Sequence, residues 1–124
     1  METKPIITAL VALARVSYPN IDYDDSGLAD PDSFPTSVIS SFTVAEDERG
    51  VSGSFTVDHW ARSEHASADS MQTLCDGVKA ALSQKVITFT GGIFLPWFDS
   101  EQSDPEEPDY IHKVQSFSGS IYGG

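Results

Sequence analysis

The stretch from Ser54 to Leu82 constrains this chain most, because two different periodicities meet in it without a linker. Residues 54–62, SFTVDHWAR, alternate. Phe55, Val57, His59 and Ala61 fall on one face and Thr56, Asp58 and Trp60 on the other, the pattern of a strand with one buried side. The sequence that follows, SEHASADSMQTLCDGVKAALS, places Ala68, Met71, Leu74, Cys75, Val78 and Leu82 at three- and four-residue steps, one stripe of an amphipathic helix. Ser63 suits an N-cap and Glu64 suits the first turn, so the helix is expected to open there. A strand running straight into a helix with a single apolar stripe predicts a helix lying on a sheet.

The rest of the chain extends this pattern. METKPIITALVALARVS reads as a first helix, with Thr3 as cap, Pro5 in the first turn, and Ile6, Leu10, Leu13 and Ala14 as its packed stripe. Its apolar run ends in Ala12-Leu13-Ala14, the A-x-A pattern of a signal-peptide cleavage site, but it is short and has no basic excess, which favours the helix. Tyr18-Pro19 ends it. Residues 20–35 carry Asp22, Asp24, Asp25, Asp30 and Asp32 among glycine and prolines and read as an acidic loop. SVISSFTV alternates Val38, Ser40, Phe42 and Val44 against Ile39, Ser41 and Thr43, a strand joined to the next by the polar turn AEDERG. Gly53 suggests a bulge or twist, and Gly77 a close approach of the second helix to the sheet. KVITFT and IFLPWF are short strands. Residues 99–109, DSEQSDPEEPD, read as a second acidic loop, too charged to bury, and YIHKVQSFSGSIY as the last strand. The expected fold is one α+β domain over residues 1–124: a mainly antiparallel sheet of about four to five strands with two helices packed on one face.

Charge narrows the function classes. Nineteen acids against seven Lys and Arg give a formal net charge of −12. That balance disfavours binding to nucleic-acid phosphates or to anionic lipid, and no run is long and apolar enough to span a membrane. Cys75, the single cysteine, lies on the helix stripe and reads as a core residue. Asp22, Asp24, Ser26 and Gly27 match the opening of a calcium loop. Position twelve is Ser33, where a bidentate Glu is required, so this is a weak calcium candidate. His59, His65, His112 and Cys75 have no recognised zinc-ligand spacing. No nucleophile elbow and no glycine-rich phosphate loop is present. The chain is therefore expected to be neither an enzyme nor a holder of a metal or other cofactor. Trp60, Trp97 and Phe98 remain, either as a second small core layer or as parts of a subunit interface.

In order and spacing these features resemble the phage tail-completion or tail-terminator family, from about Ile6 to Tyr122. The resemblance rests on the short N-terminal helix with its Tyr18-Pro19 step and on the proline-preceded strand FPTSVISSF. It continues in VDHWAR with Trp60-Ala61, in a helix carrying Ala68, Leu74, Val78 and Ala81-Leu82, and in the final Gln115-Ser116-Phe117. The two acidic loops and the serine-rich strands depart from the family pattern. What the resemblance implies is a structural virion protein, assembled in the host cytoplasm and located in the tail or neck. It would form a ring of its own copies, a hexamer, that caps the head-proximal end of the tail tube and stops its polymerisation. The implied partners are the tail tube protein and head-tail connector or neck proteins, with genome DNA passing through the ring unbound. Trp60, Trp97, Phe98, Asp104, Glu106 and Glu107 are the candidate contacts with a neighbouring subunit or the tube. A head-side neck or head-completion protein and an acidic calcium-responsive module are the alternatives. High-salt adaptation would also account for the acidity.

Overall fold

The computed structural model describes residues 2–28, 35–104 and 109–123. Helix α1 spans Lys4–Ser17, strand β1 Asp22–Tyr23, β2 Thr36–Asp47 and β3 Gly50–Arg62. Helix α2 spans Ala68–Leu82 and is followed by β4 Ile87–Phe89, β5 Gly92–Asp104 and β6 Tyr110–Gly123. The strands form one sheet in the order β1-β2-β3-β6-β5-β4. β1 runs parallel to β2, and the other four pairings are antiparallel.

This corrects the expected α+β fold with four to five mainly antiparallel strands. The chain is mostly β, a six-stranded mixed sheet curled into a half-barrel, with about 50% of residues in strands. Two acidic segments account for the difference. Asp22-Tyr23, expected in a loop, pairs with Val38-Ile39. Residues 99–104, also expected in a loop, continue β5 and pair with β6 as far as Asp104↔His112. Acidity marks exposure, and a strand needs only one covered face. Glu101 is even drawn inward, because the amides of Gln72 and Gln115 donate to its two oxygens at 3.0 Å each.

Both helices lie on one face of the sheet. Ile6, Leu10 and Ala14 of α1 and Val78 and Leu82 of α2 are buried against Ile39, Val57, Phe55, Phe94 and Phe117. Phe55 stacks on Phe117 at 5.0 Å, and Phe42 and Phe94 complete the aromatic cluster. Helix α2 opens four residues later than expected. Ser67, not Ser63, is its N-cap, and Ser67 and Ser70 hold each other's backbone amides in a capping box. The Ser63 amide is already engaged with the Asp109 carbonyl at 3.0 Å. Gly77 does accommodate a close neighbour, but that neighbour is the Tyr18 hydroxyl at the end of α1 rather than the sheet.

Two bulges shape the sheet. In β2 the register shifts between Ser40 and Thr43, where Ser41 has φ 57°; in β5 it shifts between Phe98 and Ser100. Each bulge adds a residue opposite one on the partner strand, which bends the strand and increases its twist. They flank the central β3–β6 pair on either side, so both wings of the sheet fold toward the helices. The β2 bulge also reassigns the faces. Ile39 and Ser37 face the helices, and beyond Ser41 so do Phe42 and Val44, while Val38 and Ser40 face the other way. Gly53, suspected of bulging, instead makes room for the Phe42, Phe94 and Ile121 side chains, all within 3.3 Å of where a Cβ would sit.

Side chains and a turn engage parts of both rims where β1 and β4 end. The Phe42 amide donates to the Tyr23 hydroxyl at 3.0 Å, and the Tyr23 amide donates to Asp22 Oδ1 at 2.8 Å. On the opposite wing the Phe98 amide donates to Ser83 Oγ at 2.9 Å, and the Pro96 carbonyl accepts from the Gln84 amide at 2.8 Å. Proline at position 96 removes one further donor from that rim.

Candidate functional site

Three polar or exposed arrangements stand apart from the apolar core. The first is buried beneath α2. His59 is fully buried, with Nδ1 2.7 Å from Ser37 Oγ and Nε2 2.7 Å from Gln115 Oε1. The Gln115 amide nitrogen donates to the Cys75 carbonyl at 2.8 Å and to Glu101, so its oxygen is the acceptor for His59. This fixes the tautomer: Nε2 carries the proton, and Nδ1 accepts from the Ser37 hydroxyl. Burial pushes the His59 imidazole below its ordinary value, against the weaker upward pull of Gln115 and the nearby carboxylates. The row continues to the protein surface through Gln72, whose oxygen accepts from Lys113 Nζ at 2.6 Å. Every polar atom of His59 and Gln115 is used to hold β2, β3, β6 and α2 in register. Beside them the Cys75 thiol is pushed up to about 12 by burial and the nearby Glu101, which leaves no reactive thiolate at neutral pH.

The second arrangement lies on the opposite face of the sheet. Asp58 accepts from Ser40 Oγ at 2.9 Å and from His112 Nε2 at 2.8 Å. Trp60 stacks on the His112 ring at 3.7 Å, and its indole donates to the Gly27 carbonyl at 2.9 Å. Gly27 has φ 69°, and a Cβ there would sit 2.7 Å from Asp58 Oδ2, so only glycine lets this turn close over the carboxylate. Trp60 is thus held by its own chain, in a small layer that a short turn covers.

The third arrangement is the remainder of that outer face. The β3–β6 register sets Ser52 against Ser120, Ser54 against Ser118 and Thr56 against Ser116, and the Thr43 and Ser54 hydroxyls bond at 2.8 Å. Ile93, Leu95, Trp97 and Tyr122 continue this face across β5 and β6. Trp97 is 55% and Tyr122 57% exposed. No paired position from Ser52↔Ser120 through Ile93↔Tyr122 to Ser100↔Ser116 carries an ionised side chain on this face. In a chain of net charge −12 that is a marked segregation.

The interface candidates from the sequence therefore separate. Trp97 is on the open face. Phe98, its neighbour, points to the helix face, where it meets Phe117 edge-on at 5.7 Å beneath the Lys79 ammonium at 4.2 Å. Asp104 ends β5, and its side chain, like Glu106 and Glu107, lies outside the described residues. The calcium candidates serve local turns. Asp24 Oδ1 accepts from the Ser26 amide and hydroxyl at 2.9 and 2.8 Å, which holds its carboxyl below the usual carboxylate range, while Asp22 faces Arg15 at 3.3 Å. Among the described residues no three His, Cys, Asp or Glu side chains gather as a metal site would require. Also among them, no helix is long and apolar enough to cross a membrane. The uncharged face escaped sequence reasoning, although the serine alternation in SFSGSIY and VSGSFTV was its visible signal.

No protein-family model and no curated protein matches this sequence. Solved structures do share its fold. One is a chain of the "virion of native gene transfer agent (GTA) particle", 16% identical, with a TM-score of 0.68 over 98% of this chain and 94% of that one. Another, of no stated function, is 14% identical, with a TM-score of 0.64 over 98% and 93%. At such identities the likeness establishes a shared fold that takes in nearly the whole of this chain.

Proposed function

We propose that this chain is a non-catalytic structural protein of a phage-like virion. In this reading its copies close into a ring, a hexamer, on the head-proximal end of a tail tube, halt the tube's polymerisation and join tail to head. The observation that carries the reading is the fold shared, over almost the full length of both chains, with a component of a gene transfer agent particle. The order of motifs from Tyr18-Pro19 to Gln115-Ser116-Phe117 favours the tail-terminator role within that class. The buried polar groups suit a structural role, since His59 and Gln115 spend their hydrogen bonds on neighbouring elements. Heterologous contacts between copies can close a ring without any catalytic group. The partners are then further copies of the chain, the tube protein and the neck proteins. A surface of net charge −12 around a channel would repel passing DNA and leave it free to slide.

Deleting the gene in a producing host and imaging the lysate by electron microscopy tests the reading. The expected outcome is filled heads separated from tails of unregulated length, with joining restored when the protein is supplied. Joined particles of normal tail length in its absence would overturn it, as would failure to find the chain in purified virions.

A further inference from the structure

We propose that copies of this chain dock side by side, the β4 edge of the sheet on one copy meeting the β1–β2 edge of the next. The choice of a second copy comes from the charges on those two edges, and it holds whether or not the copies close into a ring.

The two edges carry opposite signs. Residues 77–98, which form the end of α2, β4 and the first half of β5, hold Lys79 and Lys85 and no acid, in a chain that has nineteen. The first turn of α1 lies across a groove from Thr88 and Phe89 and adds Lys4, with Glu2 just ahead of it. Lys79 is turned onto the Phe98 ring. Lys4 and Lys85 are exposed, and neither has an ion-pair partner among the described residues. At the far edge of the sheet, β1, β2 and the turns that follow them carry Asp22, Asp24, Asp25, Glu46, Asp47 and Glu48. The bases there are Arg49 and Arg15, and Arg15 already faces Asp22 at 3.3 Å. Glu46 and Glu48 are exposed and form no ion pair among the described residues.

These signs set the polarity of the contact. Two β4 edges, or two β1–β2 edges, would bring like charges together; only unlike edges bring opposite charges face to face. At physiological salt the screening length is about 8 Å, so groups that meet at a contact act strongly while the rest of the −12 is largely damped. One surface fitted to a different surface of the same molecule gives a head-to-tail contact, which a ring requires and a face-to-face pair cannot supply. The edges also offer more than charge. Among the described residues β4 pairs only with β5, and residues 43–47 of β2 pair only with β3, so both edges turn backbone groups outward. Val86, 65% exposed, follows Lys85, which borders an apolar groove between α1 and α2 lined by Leu13, Val16 and Ala81. Apolar surface supplies the attraction, and the charges around it select partner and orientation.

The test is a charge inversion read by sedimentation equilibrium of the full chain, over a concentration series at about 0.15 M salt. One variant carries Lys4→Glu and Lys85→Glu, a second carries Glu46→Lys and Glu48→Lys, and a third carries all four changes. Wild type is expected to associate. Each double variant puts like charges on both edges and should weaken association by about tenfold or more. The fourfold variant has the net charge of wild type and both edges inverted, so its contact again joins opposite charges and association should return. A control with Glu64→Lys and Asp99→Lys, two exposed acids away from both edges, makes the same change in net charge as the glutamate variant and should match wild type. Adding these two changes to the lysine variant also restores the net charge, but must not restore association. All substituted side chains are exposed, and circular dichroism establishes that each variant is folded. A wild-type monomer at every concentration overturns the proposal. So do oligomers that ignore either double variant, or a fourfold variant that stays dissociated. Assembly through other surfaces would sink this contact and leave the ring reading standing. Absence of the chain from virions would sink the ring reading and leave the inversion result as it is.

Discussion

At the scale of single residues, His59 makes the clearest measurable claim. Buried and neutral, it has a folded-state pKa below its ordinary value of about 6.5, so the unfolded chain takes up the proton first. Its contribution to stability is complete above about pH 6.5 and is lost as the pH falls toward the folded pKa. Urea unfolding at pH 7.5 and 5.5 is expected to show a fall of up to about 1.4 kcal/mol per pH unit from this group. His59→Gln should flatten that slope even though it lowers stability at both pH values. An unchanged slope in the variant would assign the acid sensitivity to other groups. The sequence marked His59 as inward-facing, on the same alternation as Phe55 and Val57. It could not show that Ser37, Gln115 and the Cys75 carbonyl would meet there, because Ser37 and Gln115 lie 22 and 56 positions from His59, and Gln115 lies 40 positions from the Cys75 carbonyl it binds. Trp60 is a similar case. Its face was legible, but its cover depends on Gly27 closing over Asp58, a contact between distant segments.

At the scale of elements, periodicity revealed what it physically encodes and nothing more. Ile6, Leu10 and Ala14, and then Met71, Cys75, Val78 and Leu82, are buried on the stripes that their spacing indicates. Strand length was less legible, because charge at 99–104 was read as exclusion from structure when it only marks the solvent side of a long pairing. The β2 bulge shows a second limit. One extra residue at Ser41 inverts the parity of everything after it, so Phe42 and Val44 join the core that a strict alternation assigns to Ile39 and Ser41. Close packing of β5 on β6 gives a prediction at this scale. A Cβ at Gly119 would run into the Leu95 carbonyl, and backbone, unlike the tip of a side chain, cannot step aside. Gly119→Ala should therefore cost about 1–3 kcal/mol, toward the upper end of the range for overpacking, read from the urea midpoint. A variant as stable as wild type would mean that the two strands sit further apart than described.

For the whole molecule, the largest departure from expectation is the distribution of charge rather than its amount. Acidity alone disfavoured nucleic-acid partners; the structure adds that the paired positions of the outer face from Ser52↔Ser120 to Ser100↔Ser116 hold no ionised side chain, while Asp58 lies further along the same face. Like-charged copies of such a chain should associate more readily as the salt is raised, whereas contacts made by opposite charges would weaken, a difference that sedimentation reads. The engaged rim amides have a further consequence. Strand addition is the route by which β proteins turn into fibres, and growth by that route has no natural size limit. With Tyr23 and Ser83 occupying the Phe42 and Phe98 amides, strand addition at those two positions waits on a molecule in which the hydroxyl has let go. Growth through those two stretches, in a stored preparation or among subunits waiting in a crowded cell, is then paced by local opening rather than by how often molecules collide.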